Sequence, residues 1–175
     1  MKLDRIFEEV LDETQNRDIL EIAKQVIKDM RALNRLLFKK NENFSFKANN
    51  ILHEMSDETD SDIQELITRI ENNLNEISIA IGNTLQVIPH NKEQMDNIMI
   101  GIMTQYIFTS NSIQFDSGLG EIYSVDLNRI HTALNNLNEN INRYNTEVAD
   151  ENNYPKILSR NEALSLAKQR LNSQN

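Results

Sequence analysis

The stretch LNRIHTALNNLNENINRYNTEV, residues 127–148, decides the fold class of this chain. Its apolar residues recur at alternating spacings of three and four, and mostly Asn, Glu, Arg and Thr lie between them. This heptad pattern predicts a helix that buries a narrow stripe of side chains against another helix. The predicted packing seam consists of Leu127, Ile130, Leu134, Leu137, Ile141, Tyr144 and Val148.

The composition agrees with a helical protein. The chain has 175 residues, which suits one domain, and its four Gly and two Pro allow few sharp turns. It has no Cys, which excludes disulfides, thiolate metal sites and a cysteine nucleophile. We therefore predict a single all-α domain over residues 1–175, a bundle of about five to seven helices with long antiparallel, coiled-coil-like elements.

The same composition bears on location. No stretch is apolar over the roughly 18 residues that a membrane span requires, and the N-terminus lacks the apolar core of a secretion signal. We expect a cytoplasmic protein with no membrane partner. The abundance of Asn and Ile, whose codons are AT-rich, suggests a low-GC bacterium or one of its phages as the source, and a virion component in the second case.

Helical periodicity divides the N-terminal part of the chain. Residues 1–40 predict two amphipathic helices, from about Leu3 to Glu13 and from Asp18 to about Lys40, or equally one kinked helix, since Thr, Gln and Asn between them disfavour a helix only mildly. Asp18 and Glu21 have the spacing of a capping box. Residues 41–60 are irregular and rich in Asn and acidic side chains, which predicts a loop with one helical turn.

The central and C-terminal parts predict further helices. Residues 61–109 are expected to form a helical hairpin broken at Pro89. Residues 110–120, with two Gly close together, predict a loop. Residues 125–171 then comprise the heptad helix to about Ala149 and a short last helix that Ser159 and Glu162 cap.

A row of basic residues is the first candidate binding site. Lys24, Lys28, Arg31, Arg35 and Lys39 are spaced four, three, four and four apart, which places them on one face of a helix. Such a row is typical of the solvated face of an amphipathic helix. It can also bind an acidic protein surface, including residues 54–76 of a second copy, or the backbone of a nucleic acid. The net charge of −9 and the lack of interleaved aromatic residues disfavour the nucleic acid.

One histidine motif resembles that of a known family. The string His131-Thr132-Ala133-Leu134-Asn135-Asn136-Leu137 is similar to the phospho-acceptor helix of sensor histidine kinases. The resemblance implies phosphotransfer through His131. The chain departs from that family because no acidic residue directly precedes His131 and no Gly-rich ATP-binding segment is present.

Other catalytic and metal-binding patterns are weak. None of His53, His90 and His131 has a partner at the spacing of a helical metal site, so we expect no metal and no cofactor. The pairs Glu54–Asp57 and Glu9–Asp12 have the one-turn spacing by which helical nucleotide pyrophosphatases hold Mg²⁺.

The sequence thus predicts a non-enzymatic helical interaction or assembly protein, a subunit or adaptor that binds protein partners or itself. A phage structural, packaging or host-interaction protein is one form of this hypothesis. The alternatives are a nucleic-acid-associated regulator that uses residues 24–39, and an enzyme of histidine phosphotransfer or Mg²⁺-dependent nucleotide hydrolysis.

Overall fold

The chain folds into α-helices packed on one another. A computed structural model describes residues 19–45, 52–84, 92–115, 117–149 and 155–173, with side chains at 19–40, 60–82, 92–114, 118–149 and 155–173. These ranges contain no strand, which confirms the all-α fold class, while the predicted helix at Leu3–Glu13 lies outside them. Their five helices are α1 (Ile19–Ser45), α2 (Leu52–Thr84), α3 (Lys92–Phe115), α4 (Ser117–Glu147) and α5 (Arg160–Ser173).

The predicted loop at residues 41–60 is wrong over most of its length. Helix α1 continues to Ser45, and α2 begins at Leu52 instead of at about Ser61. No Pro or Gly occurs between residues 41 and 60, and Asn or Asp disfavours a helix by only about 0.7 kcal/mol per residue. The two flanking helices therefore extend into the polar segment.

The predicted loop at residues 110–120 is also wrong. Helix α3 runs to Phe115 and α4 begins at Ser117, so Asp116 alone separates them. Both Ile113 and Leu119 are buried next to this junction. A Cβ atom on Gly120 would lie 3.1 Å from the carbonyl oxygen of Ile113. Glycine at this position allows the two helices to approach closely, where the sequence pattern suggested a loop.

The first four helices form a bundle whose neighbours differ from those expected. Helix α1 packs on α2 and α3, and α4 packs on the same two helices, so α2 and α3 lie diagonally opposite each other. The hairpin predicted for residues 61–109 is therefore not a packed pair within the described ranges. Consecutive helices alternate in direction, so α1 and α3 run parallel, as do α2 and α4. Because α2 and α3 lie diagonally opposite each other, the two helices of each parallel pair are also neighbours in the bundle.

Polar side chains connect the parallel pairs. Between α1 and α3, Asn34 donates to Oε1 of Gln105 at 3.0 Å and accepts from Oγ1 of Thr109 at 2.6 Å. Between α2 and α4, Asn140 donates to Oγ of Ser78 at 2.8 Å. These bonds are specific in geometry, so they fix how far one helix can slide along the other.

The heptad residues of α4 lie in the bundle core. Leu127, Ile130, Leu134, Leu137, Ile141 and Tyr144 are buried, and Val148 is half-buried just after the helix ends. Ala133 and Tyr123 are buried as well, so the buried face is wider than the predicted stripe. Because α4 packs on both α2 and α3, the seam belongs to a four-helix core within one chain and not to a two-helix contact.

Helix α5 packs on the outside of this bundle, mainly against α3. The predicted cap is present, because Oγ of Ser159 accepts from the Glu162 amide and Oε1 of Glu162 accepts from the Ser159 amide, both at 3.4 Å. Ala163 and Ala167 are buried at the contact, which allows a close approach of the helices. None of the five described helices combines the length and the hydrophobicity that crossing a lipid bilayer requires.

Replacing a seam residue tests this packing. Leu137 is fully buried, so Leu137→Ala should lower the free energy of unfolding by about 2–5 kcal/mol through lost burial and a cavity. The adjacent Asn136 is exposed, and Asn136→Ala should change the free energy of unfolding by less than about 0.5 kcal/mol. Urea denaturation followed by circular dichroism measures both, and equal effects would contradict the assignment of Leu137 to the core.

Candidate functional site

The basic row defined in the sequence forms one outward face of α1. Lys24, Lys28, Arg31, Arg35 and Lys39 are all exposed, while the opposite face of the helix is buried in the core. From the first to the last Cα the row spans about 22 Å, since a helix rises about 1.5 Å per residue. The structure therefore brings these five cations together on one accessible surface.

The basic row differs from other cations of the bundle because none of its members forms an ion pair with a described residue. The other described cations of α1–α4 lie within 4 Å of a carboxylate, in the pairs Lys40–Asp60, Arg69–Asp29, Lys92–Asp96, Arg129–Glu71 and Arg143–Glu147. At the C-terminal end, Lys156, Arg160, Lys168 and Arg170 likewise have no ion pair with a described residue. On α1 the acidic residues with described side chains are Glu21, which is exposed in the first turn, and Asp29, which is buried and faces Arg69 on α2. The positive charge of the row is thus largely uncompensated by α1 itself.

A cleft borders one end of the basic row. It has a volume of about 390 Å³ and lies where α1 meets α2, with Glu21, Lys24, Gln25 and Lys28 on one side and Asn73 on the other. The lining thus combines two ammonium groups and two amide groups with one carboxylate, so it offers both donors and acceptors of hydrogen bonds.

An exposed aromatic residue that the sequence pattern did not indicate lies beside the row. The side chain of Phe38 is 62% exposed, and it follows Asn34, which faces α3, by one helical turn. Phe108 on α3 is 43% exposed and directly precedes Thr109, which donates to Asn34. Both rings therefore border the α1–α3 junction at the same end of the bundle. Phe38 directly precedes Lys39 in the sequence, so its place next to the row could be seen there. An amphipathic pattern, however, predicts that an aromatic residue lies in the core.

A second cluster joins three helices through buried polar groups. Lys40 of α1 donates to Oδ1 of Asp60 on α2 at 2.9 Å and to the hydroxyl of Tyr123 on α4 at 2.8 Å. The Tyr123 hydroxyl donates in turn to Asp60. The ammonium also lies 5.0 Å from the centre of the Tyr123 ring, a cation–π contact. Lys40 and Tyr123 are buried and Asp60 is half-exposed.

The environment of this cluster shifts its protonation equilibria. Burial of the Asp60 carboxyl raises its pKa, but the hydrogen bonds from Tyr123 and Lys40 and the charge of Lys40 outweigh that effect, so its pKa lies below the ordinary value. Burial, followed by the hydrogen bond to Asp60, raises the pKa of the Tyr123 hydroxyl far above its ordinary value. The charged Lys–Asp pair and the neutral Tyr are therefore the stable forms, and we interpret the cluster as a structural connection.

His131 lies at the contact between α3 and α4. Its Nδ1 is 3.0 Å from the hydroxyl of Tyr106, and the two rings are stacked with centroids 6.2 Å apart. The imidazole is half-buried and lines a cleft of about 390 Å³ together with Ser124, Asn128 and Gln114. Burial raises the pKa of Tyr106, with the charge of Arg160 opposing it. Phosphotransfer through His131 stays a prediction.

The remaining candidates from the sequence fall outside the described side chains. They are His53, His90 and the pairs Glu54–Asp57 and Glu9–Asp12. Within the described side chains, no group of three or more His, Asp or Glu residues has the geometry to hold a metal ion.

Comparison with known proteins adds no relative: no protein-family model, no curated protein and no solved structure is significantly similar to this chain. Any function must therefore be argued from the surfaces and contacts described above.

The Lys40–Asp60–Tyr123 cluster makes stability depend on pH. The pKa of Asp60 is lower in the folded chain than the value of about 3.9 for an unfolded Asp, so its stabilising contribution is present above that value and is lost as pH falls through the folded pKa. We expect the difference in unfolding free energy between wild type and Asp60→Asn to be largest near neutral pH and to shrink below about pH 4.

Urea titrations at a series of pH values measure this difference. Tyr123→Phe removes a hydrogen-bond donor to Asp60 without removing the ring, so it should weaken the pH dependence without abolishing it. A difference between wild type and Asp60→Asn that stays constant from neutral pH to about pH 3 would contradict the role assigned to Asp60.

Proposed function

We propose that this chain is a non-enzymatic interaction protein, a helical subunit or adaptor that binds an acidic protein surface through the basic row of α1. The observation that supports this most is the row itself, five exposed cations on one helix face without an ion pair to any described residue. The four-helix core is completed within one chain, so recognition is assigned to an outer face.

The arrangement of the row costs folding free energy in the isolated chain. Successive members are three or four residues apart, and like charges at that spacing destabilise a helix by about 0.2–0.5 kcal/mol per pair. An acidic partner would relieve this repulsion and would gain charge-assisted hydrogen bonds from the two guanidinium groups. The row is thus better suited to a bound state than to the isolated chain.

Two features favour an acidic protein over a nucleic acid. The net charge of −9 opposes approach to a phosphate backbone, which requires a broadly basic surface. Exposed Phe38, three residues after Arg35, adds an aromatic ring to the guanidinium groups of the row, and both residue types are enriched in protein interfaces.

Charge reversal tests the proposal with a defined probe. The probe is a fluorescent helical peptide of about 20 residues with Glu on one face and Leu at every fourth position, compared with a labelled DNA duplex of about 20 base pairs. Wild type should bind the peptide more tightly than the duplex. The triple variant Lys28→Glu, Arg31→Glu, Arg35→Glu should lose peptide binding by at least about tenfold in fluorescence anisotropy.

The matched control reverses three exposed cations elsewhere. The triple variant Lys156→Glu, Lys168→Glu, Arg170→Glu has the same change in net charge and should bind the peptide nearly as wild type does. Equal losses in both triple variants would indicate a general effect of net charge and would contradict a specific surface. Tighter binding of the duplex than of the peptide would favour the alternative, a nucleic-acid-associated protein.

Neutralising one member of the row should separate binding from stability. Arg31 lies three residues after Lys28 and four before Arg35, so Arg31→Gln removes two repulsive pairs and should stabilise the isolated chain by up to about 1 kcal/mol. The same change should weaken peptide binding. Thermal unfolding and anisotropy measure the two effects, and a destabilised Arg31→Gln would show that the repulsion is not significant.

A further inference from the structure

The C-terminal tail, residues 155–173, lies outside the four-helix core in a groove between α3 and α4. Its first residues, 155–159, have no regular secondary structure, and α5 follows them. Such a segment needs partners for the backbone groups that a helix would satisfy internally. Side chains of α3 and α4 supply those partners.

Two asparagines of α4 bind the backbone of the tail. Asn145 forms two bonds with Ile157, because its Nδ2 donates to the carbonyl oxygen at 2.8 Å and its Oδ1 accepts from the amide at 3.0 Å. Asn138, seven residues earlier, accepts from the amide of Arg160 at 2.9 Å. The tail therefore runs along α4 in the opposite direction, held by residues on one edge of the heptad helix.

Two further side chains complete the set. Asp96 of α3 accepts from the amide of Leu158 at 2.9 Å, and the Tyr144 hydroxyl donates to the carbonyl oxygen of Pro155 at 3.1 Å. We name the groove that these side chains form with Asn138 and Asn145 the tail groove. It binds five backbone groups of the tail, a mode of recognition that depends little on the side chains of the bound segment.

Selectivity comes from three small or apolar positions and from Arg160, whose guanidinium group donates to Oδ1 of Asn135 on α4. Ile157, whose backbone forms the two bonds with Asn145, is buried. Ala163 and Ala167 are buried one helical turn apart where α5 packs on α3. The segment that fits the groove thus begins with a few residues without regular secondary structure that include a buried Ile. A Ser that caps a helix follows, and the helix has Ala at two positions four residues apart. The chain's own tail has this pattern.

We propose that the tail groove is a peptide-binding site and that its occupant in a complex is the tail of a second copy of this chain. The tails of two copies are identical, so each tail makes the same contacts in the groove of the other copy as in its own. The four core helices also pack on one another, and α5 contacts mainly α3, so exchange of the tail separates one main helix–helix contact besides the bonds of the groove. Occupation within one chain is favoured by high effective concentration, so exchange increases with protein concentration.

The first test uses a fluorescent synthetic peptide of residues 155–173 and the full-length chain. In the variant Ile157→Asp, a buried apolar position of the tail becomes charged, which should release the chain's own tail and empty the groove. This variant should bind the wild-type peptide at least about tenfold more tightly than the wild-type chain does, because the competing tail is gone. A peptide that carries the same Ile157→Asp change should not bind.

Matched variants show which groove residues bind the peptide. Adding Asn145→Ala to Ile157→Asp removes two hydrogen bonds and should weaken peptide binding by at least about tenfold. Adding the control Asn136→Ala, an exposed residue of the same helix, should change binding by less than about twofold. A folded Ile157→Asp chain that binds the peptide no better than wild type would overturn the proposal.

A second measurement applies where Ile157→Asp does not fold. The chain has no Cys, so Ser173→Cys gives one site for a dye at the end of α5 in an otherwise unchanged protein. Excess unlabelled wild-type peptide should displace the tail and lower the anisotropy of the dye, and the peptide with the Ile157→Asp change should not. No change at saturating peptide would overturn the proposal.

Discussion

The burial of α4 between α2 and α3 is the constraint on which the rest of the structure depends. Its heptad residues fill the core, so the rotation of the helix about its own axis is fixed by the removal of apolar surface from water. Once that rotation is fixed, the residues on the two edges of the buried face can point only toward α2 or toward α3. The polar contacts of the bundle follow from this placement.

The two edges of α4 have different partners. On the α2 edge, Asp126 accepts from Gln64, and Arg129 binds Glu71. On the α3 edge, polar side chains recur every seven residues and contact Tyr106 and the backbone of the tail; they are His131, Asn138 and Asn145. A seven-residue repeat of polar groups keeps one edge directed toward one neighbour along the whole helix. The asparagines therefore position the tail as well as the helix.

Periodicity in the sequence was sufficient to predict which face of a helix is buried, but not which helix lies beside it. The apolar repeat predicted the all-α class and the inward face of α4, and the spacing of the basic row predicted a single face, on which the five cations are exposed. The diagonal arrangement of α2 and α3 was not predictable, since apolar stripes fit either neighbour. Lys40 points inward because Asp60 and Tyr123 reach it from two other helices. The seven-residue recurrence of His131, Asn138 and Asn145 is present in the sequence, but it does not indicate that the two asparagines bind the backbone of the tail.

The two proposed binding surfaces are arranged so that they can act separately. Helix α1 lies diagonally across the core from α4, and α5 packs on α3 without becoming a neighbour of α1 in the described part of the chain. A partner on the basic row therefore need not displace the tail, and exchange of the tail need not cover the row. Sites without shared contacts have nearly additive free energies. A chain with this arrangement can pair with a second copy through its tail while each copy presents its basic row to another protein, which is the property that a subunit of a larger assembly requires.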